Sequence, residues 1–455
     1  MKKADATRHN VLFVSLGCDK NLVDSERMLG DLADRGYSFT DDEEAADIAV
    51  VNTCCFINDA KKESIDQILS LAQRRTDGQL QALIVTGCLA QRYREEILTE
   101  IPEVDAVIGT TAKGQLAEAL EEVLIAPAMQ KMPEKLRMED LSVLDEGGRR
   151  LLSTGGHYAY LKIAEGCDKC CTYCVIPGVR GHYRSVPMEA LTEEAAQLAQ
   201  QGVRELILVA QETTLYGKDL YGRKCLPDLL RKLCEIDGIE WIRILYCYPE
   251  EVDRELIEVI RDEPKILHYL DVPIQHASDE ILRRMGRRTD RAHLEKILAE
   301  LREAIPDICI RTTLITGFPG ETEEDHQQLL DFVRQQRFDR LGVFTYSKEE
   351  GTPAARMKGQ IPQRTKKRRQ KELMLLQQEI AFEREAAMEG RTLRVMIEGR
   401  IVGEDVYTAR TYRDAPGVDG TVFVETAEDL MTGDMPLVRI TGSQEYDLIG
   451  ELAAE

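Results

Sequence analysis

Cysteine is the residue type that offers this chain unusual chemistry. Twelve cysteines occur among 455 residues, at positions 18, 54, 55, 88, 167, 170, 171, 174, 225, 234, 247 and 309. Their thiolates are nucleophiles and soft metal ligands, and in a reducing compartment disulfides are a poor use for them. Cys167, Cys171 and Cys174 form C-x₃-C-x₂-C within eight residues. Three such ligands hold three irons of a cubane cluster and leave the fourth iron open to chelate a substrate, whereas a fully ligated cluster mainly transfers electrons. Cys170 adds a thiol out of step with that spacing and reads as spare. A zinc knuckle completed by Cys170 or His182 is the alternative, although zinc ligands usually come as two C-x₂₋₄-C pairs.

Cys18, Cys54 and Cys88 follow three short apolar runs, Val11–Ser15, Ile48–Asn52 and Leu83–Thr86. If these runs are parallel strands, the three thiols sit at the same end of one sheet and converge in space. Gly17 and Gly87 precede two of them and let the backbone approach a bulky group. Ordinary buried cysteines are the competing explanation. Three thiolates without an obvious fourth ligand suit an iron–sulfur cluster with an open iron better than a closed zinc site. Cys55 reads as a bystander. Cys225, Cys234, Cys247 and Cys309 stand singly in apolar contexts and read as core.

These cysteines need elements to position them. Strand and helix patterns alternate over residues 9–126, which predicts an N-terminal α/β domain with a parallel sheet and its chemistry at the strands' carboxyl ends. Residues 127–152 are charged, include Gly147-Gly148, and read as a linker. A second α/β series fills 153–384. Its strand candidates are Ala159–Ala164, Glu205–Ala210, Trp241–Tyr246, His268–Val272, Cys309–Ile315 and Arg340–Thr345, the pattern of a partial TIM-type (β/α)₆ barrel. Gln211, Glu212, His276 and Thr313 lie near ends of these strands, where they could line a pocket or be structural. Residues 362–390 predict one long helix opened by the basic run Arg364–Lys371. Within 385–455, about five short β runs among Gly, Asp and Pro turns predict a small antiparallel barrel of OB-like size.

Composition narrows the setting. The chain is 43% hydrophobic and 31% charged, with net charge −22. That excess of acid argues against a protein whose main task is gripping a phosphate backbone, and for a basic partner or small substrates. No run of about 18 uncharged apolar residues spans a membrane. Met1–Asn10 lead into no apolar segment of a secretory signal, so the expected location is cytoplasmic.

C-x₃-C-x-aromatic-C after the first barrel strand resembles the radical S-adenosylmethionine (SAM) superfamily. The resemblance implies that the open iron binds the amino and carboxylate groups of SAM, and that Tyr173 occupies the position whose neighbourhood contacts adenine. Leu16-Gly17-Cys18-Asp19-Lys20-Asn21, Val51-Asn52-Thr53-Cys54 and Thr86-Gly87-Cys88-Leu89-Ala90-Gln91, standing before such a barrel, resemble the methylthiotransferases. So do Cys174-Val175-Ile176-Pro177, Arg180-Gly181 and Thr316-Gly317-Phe318-Pro319-Gly320-Glu321-Thr322. The family likeness implies an N-terminal domain holding an auxiliary cluster, a radical SAM core and a C-terminal TRAM domain for substrate recognition. It implies two [4Fe-4S] clusters and two uses of SAM, as methyl donor and as source of the 5′-deoxyadenosyl radical.

One branch of this family modifies adenosine in tRNA. The other modifies the β-carbon of an aspartate in the twelfth small-subunit ribosomal protein, S-twelve. Ala210–Gly217, Leu270–His276 and above all Ala409-Arg410-Thr411-Tyr412-Arg413-Asp414-Ala415-Pro416-Gly417-Val418-Asp419-Gly420 resemble the second. Residues 391–455 hold six Arg, no Lys and thirteen Asp or Glu. Such a module suits a basic protein better than a phosphate backbone. The implied partners are that ribosomal protein, alone or in the assembled subunit, and an electron donor such as flavodoxin or ferredoxin. A tRNA-modifying enzyme and a non-catalytic iron–sulfur sensor or scaffold are the alternatives.

Overall fold

The computed structural model describes residues 9–130, 132–144 and 148–453; Met1–Arg8 of the first ten residues and Gly147 of the expected linker lie outside them. The first unit is a parallel sheet of β1 (Asn10–Ser15), β2 (Ser38–Thr40), β3 (Ile48–Thr53), β4 (Ala82–Gly87), β5 (Ala106–Ile108) and β6 (Leu136–Arg137), in the order β2-β1-β3-β4-β5-β6. Every residue of β3 and β4 is buried. Apolar clusters on both faces explain why: helices cover the sheet on either side, so its central strands carry no polar alternation.

Strand β6 arises from the segment read as a linker. The amides of Val107 and Gly109 donate to the carbonyls of Lys135 (2.7 Å) and Arg137 (2.9 Å), extending the sheet by one parallel strand. A two-residue strand among charges gives no apolar run to detect. Farther on, the segment crosses the helix Asp19–Asp34 at Gly30, where a Cβ would stand 1.9 Å from the carbonyl oxygen of Arg149. A glycine inside a helix costs about 1 kcal/mol against alanine; here it admits the crossing chain.

The second sheet is built of β7 (Tyr158–Lys162), β10 (Glu205–Val209), β11 (Trp241–Ile244), β12 (Ile266–Asp271), β13 (Cys309–Thr316) and β14 (Arg340–Thr345), all parallel, with β8 (Ala164–Glu165) and β9 (Arg184–Ser185) forming a separate small ribbon. Its order β14-β13-β12-β11-β10-β7 is open, so the barrel is partial. The helix Gln363–Ala386 lies along β14 and bonds its carbonyl edge through Gln370 to Val343 (2.6 Å). Of the basic run that opens this helix, Lys366 and Arg369 are buried, while Arg364, Lys367, Arg368 and Lys371 stay on an exposed face. Lys366 reaches the Tyr346 carbonyl (2.6 Å), Arg369 reaches Glu321 (3.1 Å), and Arg368 pairs with Glu323 (2.8 Å).

The C-terminal unit is a closed barrel of β15 (Thr392–Arg400), β16 (Val406–Thr411), β17 (Val422–Glu425), β18 (Leu437–Gln444) and β19 (Asp447–Leu452), in the order β15-β16-β17-β19-β18. One pair, β17 with β19, is parallel. Five strands in a ring cannot alternate direction throughout, so closure requires it.

This barrel stops the amino-terminal end of the second sheet. Met396, Ala415 and Tyr412 pack against Ile207, Trp241, Leu267, Tyr269 and Cys309. Arg410 pairs with Glu205 (2.8 Å) and Asp414 with Arg340 (2.5 Å), while Glu385 takes both Arg340 (2.8 Å) and Arg413 (3.1 Å), all these side chains being buried. Within the segment Ala409–Gly420, Ala409–Arg410 and Arg413–Ala415 therefore face inward as a lock between units, while Gly417 and Val418 stay exposed. Glu385→Ala strands two buried guanidinium groups, at a cost of about 3–5 kcal/mol. The expected result is a lower urea midpoint and earlier proteolytic release of residues 390–453.

Candidate functional site

The helix Asp19–Asp34 starts at Cys18, and the helix Cys88–Glu100 starts at Cys88, each directly after a strand. Cys54 follows β3. The three thiols thus gather at the carboxyl end of the first sheet, and the charges of Cys18 and Cys54 both act on Cys88. Gly17 (φ +99°) and Gly87 (φ +94°) sit in backbone conformations that L residues rarely adopt. A Cβ on Gly17 would meet the Cys54 Cβ at 2.7 Å and its Sγ at 3.0 Å; one on Gly87 would meet the Asn52 Oδ1 at 2.3 Å. Cys55 faces the other way, into the apolar core, and its thiol donates to the Cys88 carbonyl (3.3 Å). Burial pushes it up to about 11.

Cys167, Cys171 and Cys174 share one loop after β8. It is held by the Cys167 amide to the Gly181 carbonyl (3.1 Å), the Cys174 amide to the Cys171 carbonyl (3.0 Å) and the Thr172 amide to the Met285 carbonyl (2.9 Å). Gly166 (φ +80°) leaves no room for a side chain, since its Cβ would lie 2.0 Å from the His182 carbonyl oxygen. Burial pushes the Cys167 thiol up to about 12 and raises Cys54, Cys88 and Cys174 too. Such groups stay protonated unless a metal displaces the proton.

The other proposed zinc ligands are turned away. Cys170 is exposed at φ 54°, and the His182 side chain is 96% exposed and bonded to Asp168 (2.8 Å). Among the described residues, no three His, Cys, Asp or Glu side chains converge on a position for a single ion. Tetrahedral zinc needs sulfurs only about 3.8 Å apart.

The two triads are joined through Arg180. The short helix Ile176–Arg180 follows Cys174, and its Ile176 and Val179 pack into the core of the first unit. Arg180 Nε donates to the Cys88 Sγ (3.3 Å), its Nη1 donates to Asp24 (2.6 Å) and Glu165 (3.1 Å), and its Nη2 to Asn21. Lys162 bonds Asp24 (2.5 Å) and Glu165 (2.8 Å), and Lys113 lies 3.4 Å from Asp24. Those cations hold the Asp24 carboxyl well below the usual range against its burial, and bring Glu165 down to about 2. Buried cations thus surround these two carboxylates, and the Nε edge of the Arg180 guanidinium faces the thiols. An oxidised four-iron cubane with three thiolate ligands carries one net negative charge, so this cationic edge, the glycine cradles and the all-thiol donor set fit such a group.

The first unit roofs the carboxyl-terminal mouth of the second sheet. Besides Lys162 at the end of β7, Tyr246 just past β11 donates its hydroxyl to Asp19 (2.9 Å), and Lys20 stands 3.3 Å from the centre of that ring. Past β14, Glu349 takes Lys61 (2.8 Å) and Arg92 (3.0 Å). The Cys18 loop and the Cys167 loop therefore border one seam.

The remaining expected site residues scatter in role. Tyr173 packs edge-on against Phe318 beside Cys171. Glu212 is buried next to Cys167, 3.5 Å from Lys169, and burial raises it to about 7. Gln211 donates to Glu165 (2.8 Å). Thr313 lies on the face of β13 opposite the core-packed Leu314, toward the hollow of the sheet. His276 is buried elsewhere: it accepts from the Ser278 amide (2.9 Å), the groups facing it are Asp325, His326 and Arg369, and burial lowers it to about 3. Its position after β12 put it near a strand end, but its ring turns into the helical layer. Tyr248, whose hydroxyl lies 3.8 Å from the Cys171 Sγ, and Arg287, 4.2 Å above the Tyr248 ring, were not foreseen. Only the basic run Arg283–Arg288 could have hinted at the second.

Three stretches of the chain match known families: residues 10–109 match Uncharacterized protein family UPF0004, 161–333 the Radical SAM superfamily, and 390–453 the TRAM domain. The chain is 61% identical over 441 residues to the ribosomal protein uS12 methylthiotransferase RimO of Lachnoclostridium phytofermentans, covering 97% of this chain and 99% of that one. It is 50% identical over 448 residues to the RimO protein of Geobacter sulfurreducens, covering 98% and 99%. In fold it resembles the radical SAM methyltransferase TsrM from Kitasatospora setae, with TM-score 0.54 at 14% identity over 76% of this chain and 77% of that one. With the likeness to RimO running from end to end, this chain belongs to the RimO family of radical SAM methylthiotransferases.

Proposed function

We infer that this protein transfers a methylthio group to the β-carbon of an aspartate in ribosomal protein uS12. The observation that carries this reading is 61% identity over 97% of the chain to a uS12 methylthiotransferase, with both thiol triads on one seam. In a deletion strain, mass spectrometry should find that aspartate unmodified and the methylthiolated adenosine of tRNA intact; the reverse result selects the tRNA branch.

Cys167, Cys171 and Cys174 hold one [4Fe-4S] cluster, and Cys18, Cys54 and Cys88 hold the other. When bound, these clusters and SAM supply a 5′-deoxyadenosyl radical able to open an unactivated C–H bond and the sulfur that replaces the hydrogen. The chain's own task is placement. Glu212, Gln211, Thr313 and Tyr173 line the SAM side of the seam, while His276 takes no part. The Asp19–Tyr246 hydrogen bond and the Lys20 contact fix the Cys18 loop above the mouth, which orders the reacting groups and keeps water away. Anaerobic analysis should find about eight irons per wild-type chain and about four in Cys167/Cys171/Cys174→Ala.

Two surfaces suit the partners. Glu404, Asp405, Glu425, Glu428 and Asp429 are exposed on the C-terminal barrel and complement a basic ribosomal protein, free or in the assembled subunit. Around the exposed Cys170, the chain ending the helix Asp279–Met285 presents Arg283 and Arg288, and a neighbouring loop adds Arg356 and Lys358. Thr172 bonds the Met285 carbonyl and the Ala354 amide bonds the Thr172 carbonyl, so this basic rim rests on the Cys167 loop itself. It suits an acidic one-electron carrier, flavodoxin or ferredoxin, in the cytoplasm. Arg283→Glu/Arg288→Glu/Lys358→Glu should lower kcat/KM for flavodoxin about ten-fold, through slower association. Cleavage of SAM driven by dithionite should be unchanged.

A further inference from the structure

Arg180 touches a thiol of the first unit while sitting six residues after Cys174 of the second. Its guanidinium is nearly sealed from solvent, and four different residues occupy its donors. The carboxylates of Asp24 and Glu165 lie on the Nη1 side; the Nε edge points at Cys88, with Cys18 and Cys54 within electrostatic reach. At the other triad the buried Arg287 has Cys171 within electrostatic reach, but its hydrogen bonds go to Glu250 (3.4 Å) and the Pro273 carbonyl (3.1 Å) and not to a thiol, and Lys169 is faced by Glu251 (2.7 Å), Glu212 (3.5 Å) and Glu250 (4.0 Å). Reduction adds one negative charge to an iron–sulfur centre. A fixed positive charge in a water-poor neighbourhood favours that reduced form, and hydrogen bonds to the ligating sulfur act in the same direction.

We propose that Arg180 is a positioning residue that raises the reduction potential of the centre held by Cys18, Cys54 and Cys88 above that of the centre on the Cys167 loop. The proposal rests on the assignment of those three cysteines as ligands. The two neighbouring centres are thereby held at different potentials, so an electron delivered for SAM cleavage and the redox state of the sulfur-bearing centre are set separately.

The test uses the full-length Cys167/Cys171/Cys174→Ala protein, in which the first-unit centre is alone. Iron and sulfide are measured, and the centre is titrated by electron paramagnetic resonance at controlled potential. Arg180→Gln should keep about four irons and lower the ratio of reduced to oxidised centre at a fixed potential about ten-fold, equivalent to ~59 mV for one electron. Arg180→Lys, which keeps the charge, should restore most of that ratio. Asp24→Asn, which removes an opposing charge, should raise it. An unchanged ratio in Arg180→Gln with its iron retained overturns the proposal and leaves the ligand assignment standing. A parent protein without iron overturns the assignment and the proposal together. If Arg180→Gln itself binds no iron, Asp24→Asn decides: a raised ratio supports the proposal, and an unmoved or lowered one overturns it.

Discussion

The structure depends on a set of ions buried where its first two units meet. Asp24 from one unit is gripped by Lys162 and Arg180 from the other, and Glu165 completes the set. Glu26 and Glu194, with Arg27 and Arg150, extend it along the same seam. A buried ion pair adds little net stability compared with apolar packing, but losing one partner costs several kcal/mol. Ions of this kind act on geometry: any sliding of one unit over the other strands a charge, so a single relative placement survives. That placement brings the Cys18, Cys54 and Cys88 thiols and the Cys167 loop to one border.

A second polar line reaches that border from the opposite end of the molecule. Asp419 of the C-terminal barrel lies 3.5 Å from Arg311 in β13; Arg311 bonds Asp271 (3.2 Å), which accepts from the Tyr246 amide (3.0 Å). Tyr246 carries φ 61° and Gln275 φ 72°, both just past ends of barrel strands. Left-handed backbone at residues with a Cβ is costly and is kept only where surroundings impose it. At Tyr246 the surroundings are visible: Asp271 below, and Asp19 and Lys20 above. The strain is used to aim the ring at the loop of Cys18.

Much of this was legible before any coordinates. Cysteines directly after apolar runs are readable because a parallel sheet has one chemical end, and that rule holds without knowing the helices between. The strands of the second sheet were equally plain, since each is a buried run between amphipathic helices. What escaped is long-range. Arg180 belongs to a recognisable motif, yet nothing local says that its side chain crosses to Cys88, 92 residues earlier. Arg410, Arg413 and Asp414 stood out only as part of a stretch resembling one branch of the family; their partners, Glu205, Glu385 and Arg340, lie far away in sequence, so nothing local announced the lock. His276 misled for a related reason, as strand-end position does not fix which side a ring turns to. Strand β6 needed only two residues, below what any periodicity can signal.

The lock formed by the C-terminal barrel has a consequence for how a target is admitted. With Met396, Ala415 and Tyr412 filling one end of the hollow beneath the seam, the hollow is a blind one. A polypeptide cannot thread along the axis of a recess stopped at its floor. Any target segment has to approach from the seam side or across the unpaired edge between β7 and β14, never past the C-terminal barrel.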